Sequence, residues 1–436
     1  MIYFSVPNNI NIKLIDSSLV EYKRFISDGL WINENIYGTT YDDFKDIKKI
    51  FSNVQQEDFK FQIIDENRFN KSTLFPKKIG VCLKNEYNTV QHYEKLLEEQ
   101  NFVQEYLNNK ALDGYLEEEY IAFDSIDFLQ NEIRLVIIGY CSKNLGEIIN
   151  FCSALRILYK KLKEKSPKIT LDIYLQASSN SYYKRDKEIF QSYKFINKVM
   201  PLSVTIQALC NYDYYIDMSS CEKSIYYDEL PYIDFFLRQL GIDYLSVNEA
   251  LKYNEIDLHG YHINPKLEEK IKEIKQKGNL LLFHPFSAFV TRSIPVENAK
   301  KLLDKLANFS SEYVVVTALK IDNVKNENVI DLSLYSKTFF DFVYIISQMQ
   351  SVITVDTSTY HISDAFFIPT VVLFNDEAQI EKRIKYYSYV KPVKIKNHAK
   401  SYSKFIFKSD ALYVDDFQSW NEMNIPEVIK LLEKIG

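Results

Sequence analysis

The hydrophobic rhythm of the chain changes near residue 133. Upstream, apolar and polar positions mix in short runs with acidic patches such as YLEEEYIAFDSID, and residues 1–130 show no motif. Downstream, short apolar runs alternate with stretches of helical period. IRLVIIG (133–139), ITLDIYL (169–175) and YDYYIDM (212–218) read as strands buried on both faces. GEIINFCSALRILYKKLKEK (146–165) sets Ile148, Phe151, Leu155, Leu158 and Leu162 on one helical face. YDELPYIDFFLRQLG (227–241) reads as a helix ended by Gly241.

A charged helix, NPKLEEKIKEIKQKG (264–278), marks a boundary, and strand–helix alternation then starts again. NLLLFHP (279–285) and YVVVTAL (313–319) predict strands; PVENAKKLLDKLANF (295–309) and TFFDFVYIISQM (338–349) predict helices. In ITVDTSTYHISDAFFIPTVVLF (353–374), Val352 to Val355 is a buried strand that Asp356 ends. Thr357 or Ser358 then caps a helix running to about Phe367, and Pro369 opens a strand from Thr370 to Phe374. Two such runs imply two parallel-sheet domains facing a cleft. The polar corner at 356–361 falls at a strand's carboxyl end, where open α/β sheets bind ligands and a helix start suits a phosphate. The last helix, PEVIKLLEKIG (426–436), is expected to pack back on the first domain.

Composition narrows the class. The chain has 436 residues, 46% hydrophobic and 26% charged, and no apolar run reaches the ~18 residues that span a bilayer. The start, MIYFSVPNNINIK, lacks the basic and long apolar stretches of a secretory signal, so a cytoplasmic location is expected. The five cysteines (82, 141, 152, 210 and 221) form no CxxC pair, which fits a reducing compartment. Its 33 Tyr and 29 Phe could build carbohydrate-stacking surfaces or simply reflect an AT-rich genome.

The net charge of −6 disfavours nucleic acid as a partner. The charge is uneven, however. Segment 382–408, KRIKYYSYVKPVKIKNHAKSYSKFIFK, holds nine Lys or Arg and no acid, leaving 44 basic against 59 acidic residues elsewhere. It is either a solvated surface or a contact for an anionic membrane or phosphorylated glycan. GxGxxG, a Walker loop, Asp-x-Asp, HExxH and GxSxG are all missing.

The 356–370 block resembles glycosyltransferase family 9, the bacterial heptosyltransferase-like enzymes of GT-B fold. Asp356, Thr357, His361, Pro369 and Thr370 stand at that family's positions, with Ser358 where a Gly is usual. HPFSAFVTRSIP (284–295) is similar to the family's hydroxyl-bearing loop: Ser287 at a phosphate-loop place, Arg292 at a Lys place, Pro295 at a Pro. More loosely, Gly146, Leu155 and Arg156 match its first unit, with Glu147 replacing an Asp. The likeness spans about 131–395.

The resemblance implies two Rossmann-like domains, 131–265 on the acceptor side and 278–415 on the nucleotide-sugar side. Around them lie an extension, 1–130, of unknown fold and a terminal helix, 416–436. It implies a metal-independent inverting transferase that needs no cofactor. Such an enzyme moves a sugar, heptose by family, from a nucleotide-diphospho-sugar to a glycan, lipid-linked or protein acceptor of the bacterial surface, lipopolysaccharide included. It would work in the cytoplasm or peripherally at the inner membrane. Ser287, Arg292, Asp356, Thr357, Ser358 and His361 would bind the donor, and Glu147 would be the general base. Each has a plainer reading: a loop Ser, a solvated Arg, an Asx cap, a core His, a carboxylate complementing a helix dipole. A non-catalytic scaffold, or a sugar-nucleotide epimerase or hydrolase, stands as the alternative.

Overall fold

A computed structural model describes the chain apart from residues 26–32, 55–61, 65–74, 84–117, 127, 129–130, 140–143, 179, 219–220, 290–291, 310–311, 323, 325, 376–379, 396–419, 421–422 and 436. Contacts divide the chain into two compact units: Met1–Lys143 with Ala154–Asn248, and Asn144–Ser153 with Glu249–Gly436.

The first unit opens with β1 (Ile2–Ser5), β2 (Ile10–Lys13), β3 (Leu19–Tyr22), β4 (Tyr37–Thr39), helix α1 (Tyr41–Val54) and β5 (Gln62–Ile63). β1 pairs antiparallel with β4 and β5, and β2 with β3. Aromatic rings fill this piece: Phe4 lies 5.2 Å from Phe44 and 5.7 Å from Tyr37, and Tyr22 lies 5.8 Å from Phe51. These rings serve as core, which short mixed runs do not advertise.

The unit continues with β6 (Lys77–Leu83), β7 (Glu118–Ile121), β8 (Glu132–Ile138), α2 (Leu145–Lys165, whose residues up to Ser153 count with the second unit), β9 (Lys168–Leu175), α3 (Tyr183–Gln191), β10 (Lys198–Pro201), β11 (Val204–Thr205), α4 (Ile206–Leu209), β12 (Tyr214–Asp217), α5 (Tyr226–Glu229) and α6 (Tyr232–Gln239). The main sheet runs β10-β9-β8-β12-β6-β7, parallel except for β7. The boundary drawn at residue 130 is therefore not where the contacts divide the chain, because β6 is an integral strand beside β12. β11 joins the small sheet through β4, tying 1–64 to the loop after β10.

Two helix readings change. The helix expected over 227–241 is two, α5 and α6, because Pro231 between them lacks an N–H. In α2, burial extends around the whole circumference from Glu147 to Leu158, well beyond one face.

The second unit contains α7 (Pro265–Lys275), β13 (Asn279–His284), α8 (Val296–Phe309), β14 (Tyr313–Thr317), β15 (Val329–Asp331), α9 (Phe339–Ser347), β16 (Ser351–Val355), α10 (Ser358–Ala365), β17 (Thr370–Phe374), α11 (Ile380–Ile384), β18 (Val390–Lys394) and α12 (Ile425–Ile435). Its sheet, β15-β14-β13-β16-β17-β18, is parallel throughout. This is the 3-2-1-4-5-6 order of doubly wound nucleotide-binding sheets, with its switch point between β13 and β16.

Strand alternation sends Leu281 and Phe283 to one core and Leu280 and Leu282 to the other. α8 and α12 cover the first core, α7 and α9 the second. The terminal helix thus packs on its own unit, contrary to the expectation of a return to the first domain. Its apolar stripe, Ile425, Val428, Ile429 and Leu432, lies with Val371 and Leu373 of β17, satisfying a parallel sheet's need for cover on both faces. No described helix is long and apolar enough to cross a membrane.

Gly80 in β6 has φ +89, and an added Cβ would stand 2.3 Å from the carbonyl oxygen of Gln239 at the end of α6. Gly80→Ala is expected to lower stability by roughly 1–3 kcal/mol or more, from the left-handed strain and the clash together. Chemical denaturation of the variant checks this, and an unchanged midpoint would show that β6 is not seated so closely.

Candidate functional site

Two chain segments meet at the switch point of the second unit. After β13, backbone hydrogen bonds close the chain on itself: Ile294 N–H donates to the Pro285 carbonyl at 2.9 Å, and Arg292 N–H to the Phe289 carbonyl at 3.0 Å. The Ser293 hydroxyl donates to the carbonyls of Ser287 and Phe289, both at 3.1 Å. Ser287 stands inside this loop, its hydroxyl accepting the Phe289 N–H at 3.3 Å, so it shapes the turn. The Arg292 guanidinium lies 4.7 Å from the centre of the Phe289 ring.

At the end of β16, Asp356 is buried at 3% exposure. Its carboxylate accepts the Tyr360 hydroxyl at 3.0 Å and forms ion pairs with Arg292 Nε at 3.2 Å and Arg383 Nε at 3.5 Å, the Arg383 Nε making no hydrogen bond among the described residues. Arg383, from α11, is buried more deeply than Arg292, with side-chain exposures of 10% and 30%. Two positive charges thus face one negative charge. In both pairs the guanidinium nitrogen that approaches the carboxylate is Nε. The cluster therefore holds one more positive than negative charge, with Asp356 as its internal counter-ion.

Thr357 is the N-cap of α10, in extended conformation, and its side chain makes no capping bond. Thr359 is fully buried, and its hydroxyl lacks a partner among the described residues. First-turn N–H groups, two hydroxyls and a helix dipole accordingly lie beside the arginine pair. On the same carboxyl edge, a cavity of about 160 Å³ is lined by Leu303, Thr317, Ile321, Asp322, Val324 and Asp331. Among the described residues, no group of three or more His, Cys, Asp or Glu could hold a metal ion.

His361 lies apart from the arginine pair in its bonding. It is 2% exposed; its Nδ1 is 2.6 Å from the Tyr387 hydroxyl and 3.1 Å from Asn150 Nδ2. Burial, and then the nearby Arg383 charge, hold its pKa well below the ordinary histidine value, so the ring is neutral and adds no positive charge. Glu147 is buried at the third position of α2, where its Oε1 accepts Asn144 Nδ2 at 2.9 Å. That carboxylate complements a helix start.

The structure therefore gathers Arg292, Asp356, Thr357 and Ser358 into one place and gives Ser287, His361 and Glu147 partners within the protein. Sequence reasoning missed Arg383, which it met only as part of the basic run 382–408. Lys382 of that run is buried, Lys385, Lys391 and Lys394 are exposed, and residues 396–408 lie outside the described set.

No protein-family model matches the chain, and no curated protein does. Solved structures do. A family 9 glycosyltransferase from Veillonella parvula is 13% identical, over 70% of this chain and 97% of that one, with a TM-score of 0.45. The ADP-heptose lipopolysaccharide heptosyltransferase II of E. coli is 13% identical, over 70% and 98%, with a TM-score of 0.46. A UDP-GlcNAc 2-epimerase from Neisseria meningitidis, bound to UDP-GlcNAc, is 12% identical, over 70% and 94%, with a TM-score of 0.38. At this level of likeness, function has to be read from the site.

One buried group near His361 gives a pH signature. Asp364, on the same helix, accepts Asn254 Nδ2 at 3.0 Å, and Asn254 Oδ1 accepts the Ser153 hydroxyl at 3.0 Å. Burial pushes the Asp364 carboxyl up to about 7, against the pull of the Asn254 donors. An acid whose folded pKa exceeds its unfolded value near 3.8 binds more protons folded, so stability falls as pH rises from about 4 to 7. Asp364→Asn should remove that decline, worth up to about 4 kcal/mol, and stabilise the protein more at pH 8 than at pH 4. Urea midpoints across pH check this; a parallel shift at all pH values would contradict it.

Proposed function

We propose that the second unit binds the diphosphate of a nucleotide-diphospho-sugar and that the chain is a glycosyltransferase. The observation that carries this reading is the pair of guanidiniums, Arg292 and Arg383, held by the single carboxylate of Asp356 beside the start of α10. A leaving nucleoside diphosphate gains negative charge as the glycosidic bond breaks, and preorganised cations with backbone N–H groups stabilise it. The arginine pair supplies the charge compensation that a divalent metal would otherwise give, so transfer is proposed to be metal-independent; that it inverts the anomeric centre is what the family resemblance implies. The cavity beside Thr317 and Asp331 takes the nucleoside end.

In this reading Asp356 orients the arginines and leaves the sugar hydroxyls to other groups. Heptose from an ADP donor, a glycan or protein acceptor, and contact of Lys385, Lys391 and Lys394 with an anionic surface follow from the family likeness and the charge of 382–408. A second reading is a binding protein without turnover. It is favoured by one fact: Asp356 and Glu147 both spend their carboxylates on partners within the protein.

Calorimetry with ADP, UDP and GDP, in EDTA, tests the donor site. At least one should bind, and Arg292→Ala or Arg383→Ala should each weaken it by roughly 1.5–3 kcal/mol, the range for a lost charged hydrogen bond. Strict dependence on Mg²⁺, or full affinity in both variants, would remove the site. Glu147→Gln then separates transferase from binder. If Glu147 is the general base, turnover of the best-bound nucleotide-sugar should fall at least about 10²-fold with donor affinity unchanged. Parent-rate turnover in that variant would leave Glu147 with its helix-start role alone.

A further inference from the structure

The His361 ring makes three close contacts. An added Cβ on Gly146 would stand 2.5 Å from its Cδ2 and 2.6 Å from its Nε2, so the first turn of α2 touches the ring where only glycine fits. Asn150, one turn further on, donates from Nδ2 to the Gly146 carbonyl at 2.8 Å. Tyr387 donates its hydroxyl proton to Asn150 Oδ1 at 2.9 Å. That hydroxyl has one proton, so at 2.6 Å it accepts from Nδ1–H of the neutral ring. The result is a directed chain: His361 Nδ1–H to Tyr387, Tyr387 O–H to Asn150, Asn150 N–H to the carbonyl of Gly146. In this arrangement the 3.1 Å approach of Asn150 Nδ2 to Nδ1 is non-bonded. Asn150 and Tyr387 are buried at 1% and 5% exposure, so water does not compete for these groups.

We infer that Asn150 and Tyr387 are positioning residues that lock His361 against Gly146, so that a nucleotide at the start of α10 also holds the Gly146–Glu147 turn. The inference rests on the donor site proposed above. His361 lies one turn beyond Ser358, on the helix whose first N–H groups would take the phosphate. An eight-residue helix moves as a body, so settling its N-terminal turn settles the ring. Because binding linkage is reciprocal, a turn of α2 held by the ring favours the nucleotide-bound position of α10 in return.

ADP is the probe, or whichever of UDP and GDP binds better, and backbone hydrogen exchange is the readout. In the parent protein, saturating nucleotide should slow exchange of the amides of 147–150 by about tenfold. Tyr387→Phe removes one hydroxyl and should abolish that slowing, with nucleotide binding weakened by no more than the same roughly tenfold factor, as reciprocal linkage requires. Asn150→Ala serves as the second variant should the first fail to fold. A role confined to packing would loosen 147–150 equally with and without nucleotide and leave the ligand-dependent slowing intact, which would overturn the inference. Unchanged exchange in nucleotide-bound parent protein would overturn it too. A loss of about a hundredfold or more in Tyr387→Phe, beyond what the linkage accounts for, would instead make the Tyr387–His361 pair part of the nucleotide pocket and overturn the positioning role. If none of the three nucleotides binds the parent protein, the donor site itself fails; binding without linkage leaves that site standing and removes only the positioning role.

Discussion

Two guanidiniums on one side of a sheet repel each other, and neither is easily buried without a counter-charge. Asp356 resolves both difficulties at once. It sits where β16 ends, within reach of the loop after β13 and of α11, and those two segments are brought together only by the parallel strand order. The carboxylate thereby converts a topological feature into a local excess of positive charge. Its burial keeps water from screening the ion pairs. The loop closed by Ser293 and the stacking of Arg292 near Phe289 then restrain a side chain that would otherwise sweep through solvent.

Much of this was legible in the sequence, for physical reasons that can be named. Strands buried on both faces leave apolar runs with sharp ends, so β8, β9, β13, β14, β16 and β17 are visible one by one. The polar corner at 356–361 stands out because Asp, Thr, Ser and His interrupt such runs. Other features were hidden. Arg383 gave no sign, since a cation that turns inward looks the same in sequence as its exposed neighbours. The network of Asn150, His361 and Tyr387 joins residues more than 200 positions apart, and no local spacing encodes it. Asn150 could have been noticed as a polar residue amid the apolar positions of α2.

The amino-terminal piece shows the same limit from another direction. Its strands are two to four residues long, too short for a clear period, and its core is aromatic. Thr39 and Ser178 both donate to Asp43 at 2.6 Å, and Gln176 to Asp46 at 3.1 Å, so this piece is fastened to the segment after β9 by side chains. The contacts accordingly count it with the first sheet. Among the described residues, Cys152, Cys210 and Cys221 form no disulfide, in keeping with a core held by packing and hydrogen bonds.

The placement of β6 bears on how the chain assembles. Lys77, Lys78 and Ile79 pair with Tyr214, Tyr215 and Ile216, while β8 and β9 pair across a single helix. On a ribosome, residues 77–83 emerge long before the strand that receives them. The β8–α2–β9 unit can close early from local contacts, whereas β6 must wait for β12 and meet the loop-closure entropy of the whole intervening segment. β7 can cover one edge of β6 early, but in the interval the edge that faces β12 stays unpaired, open to the wrong strand or to a second chain. A strand that is interior in the finished sheet is thus, during synthesis, an exposed edge.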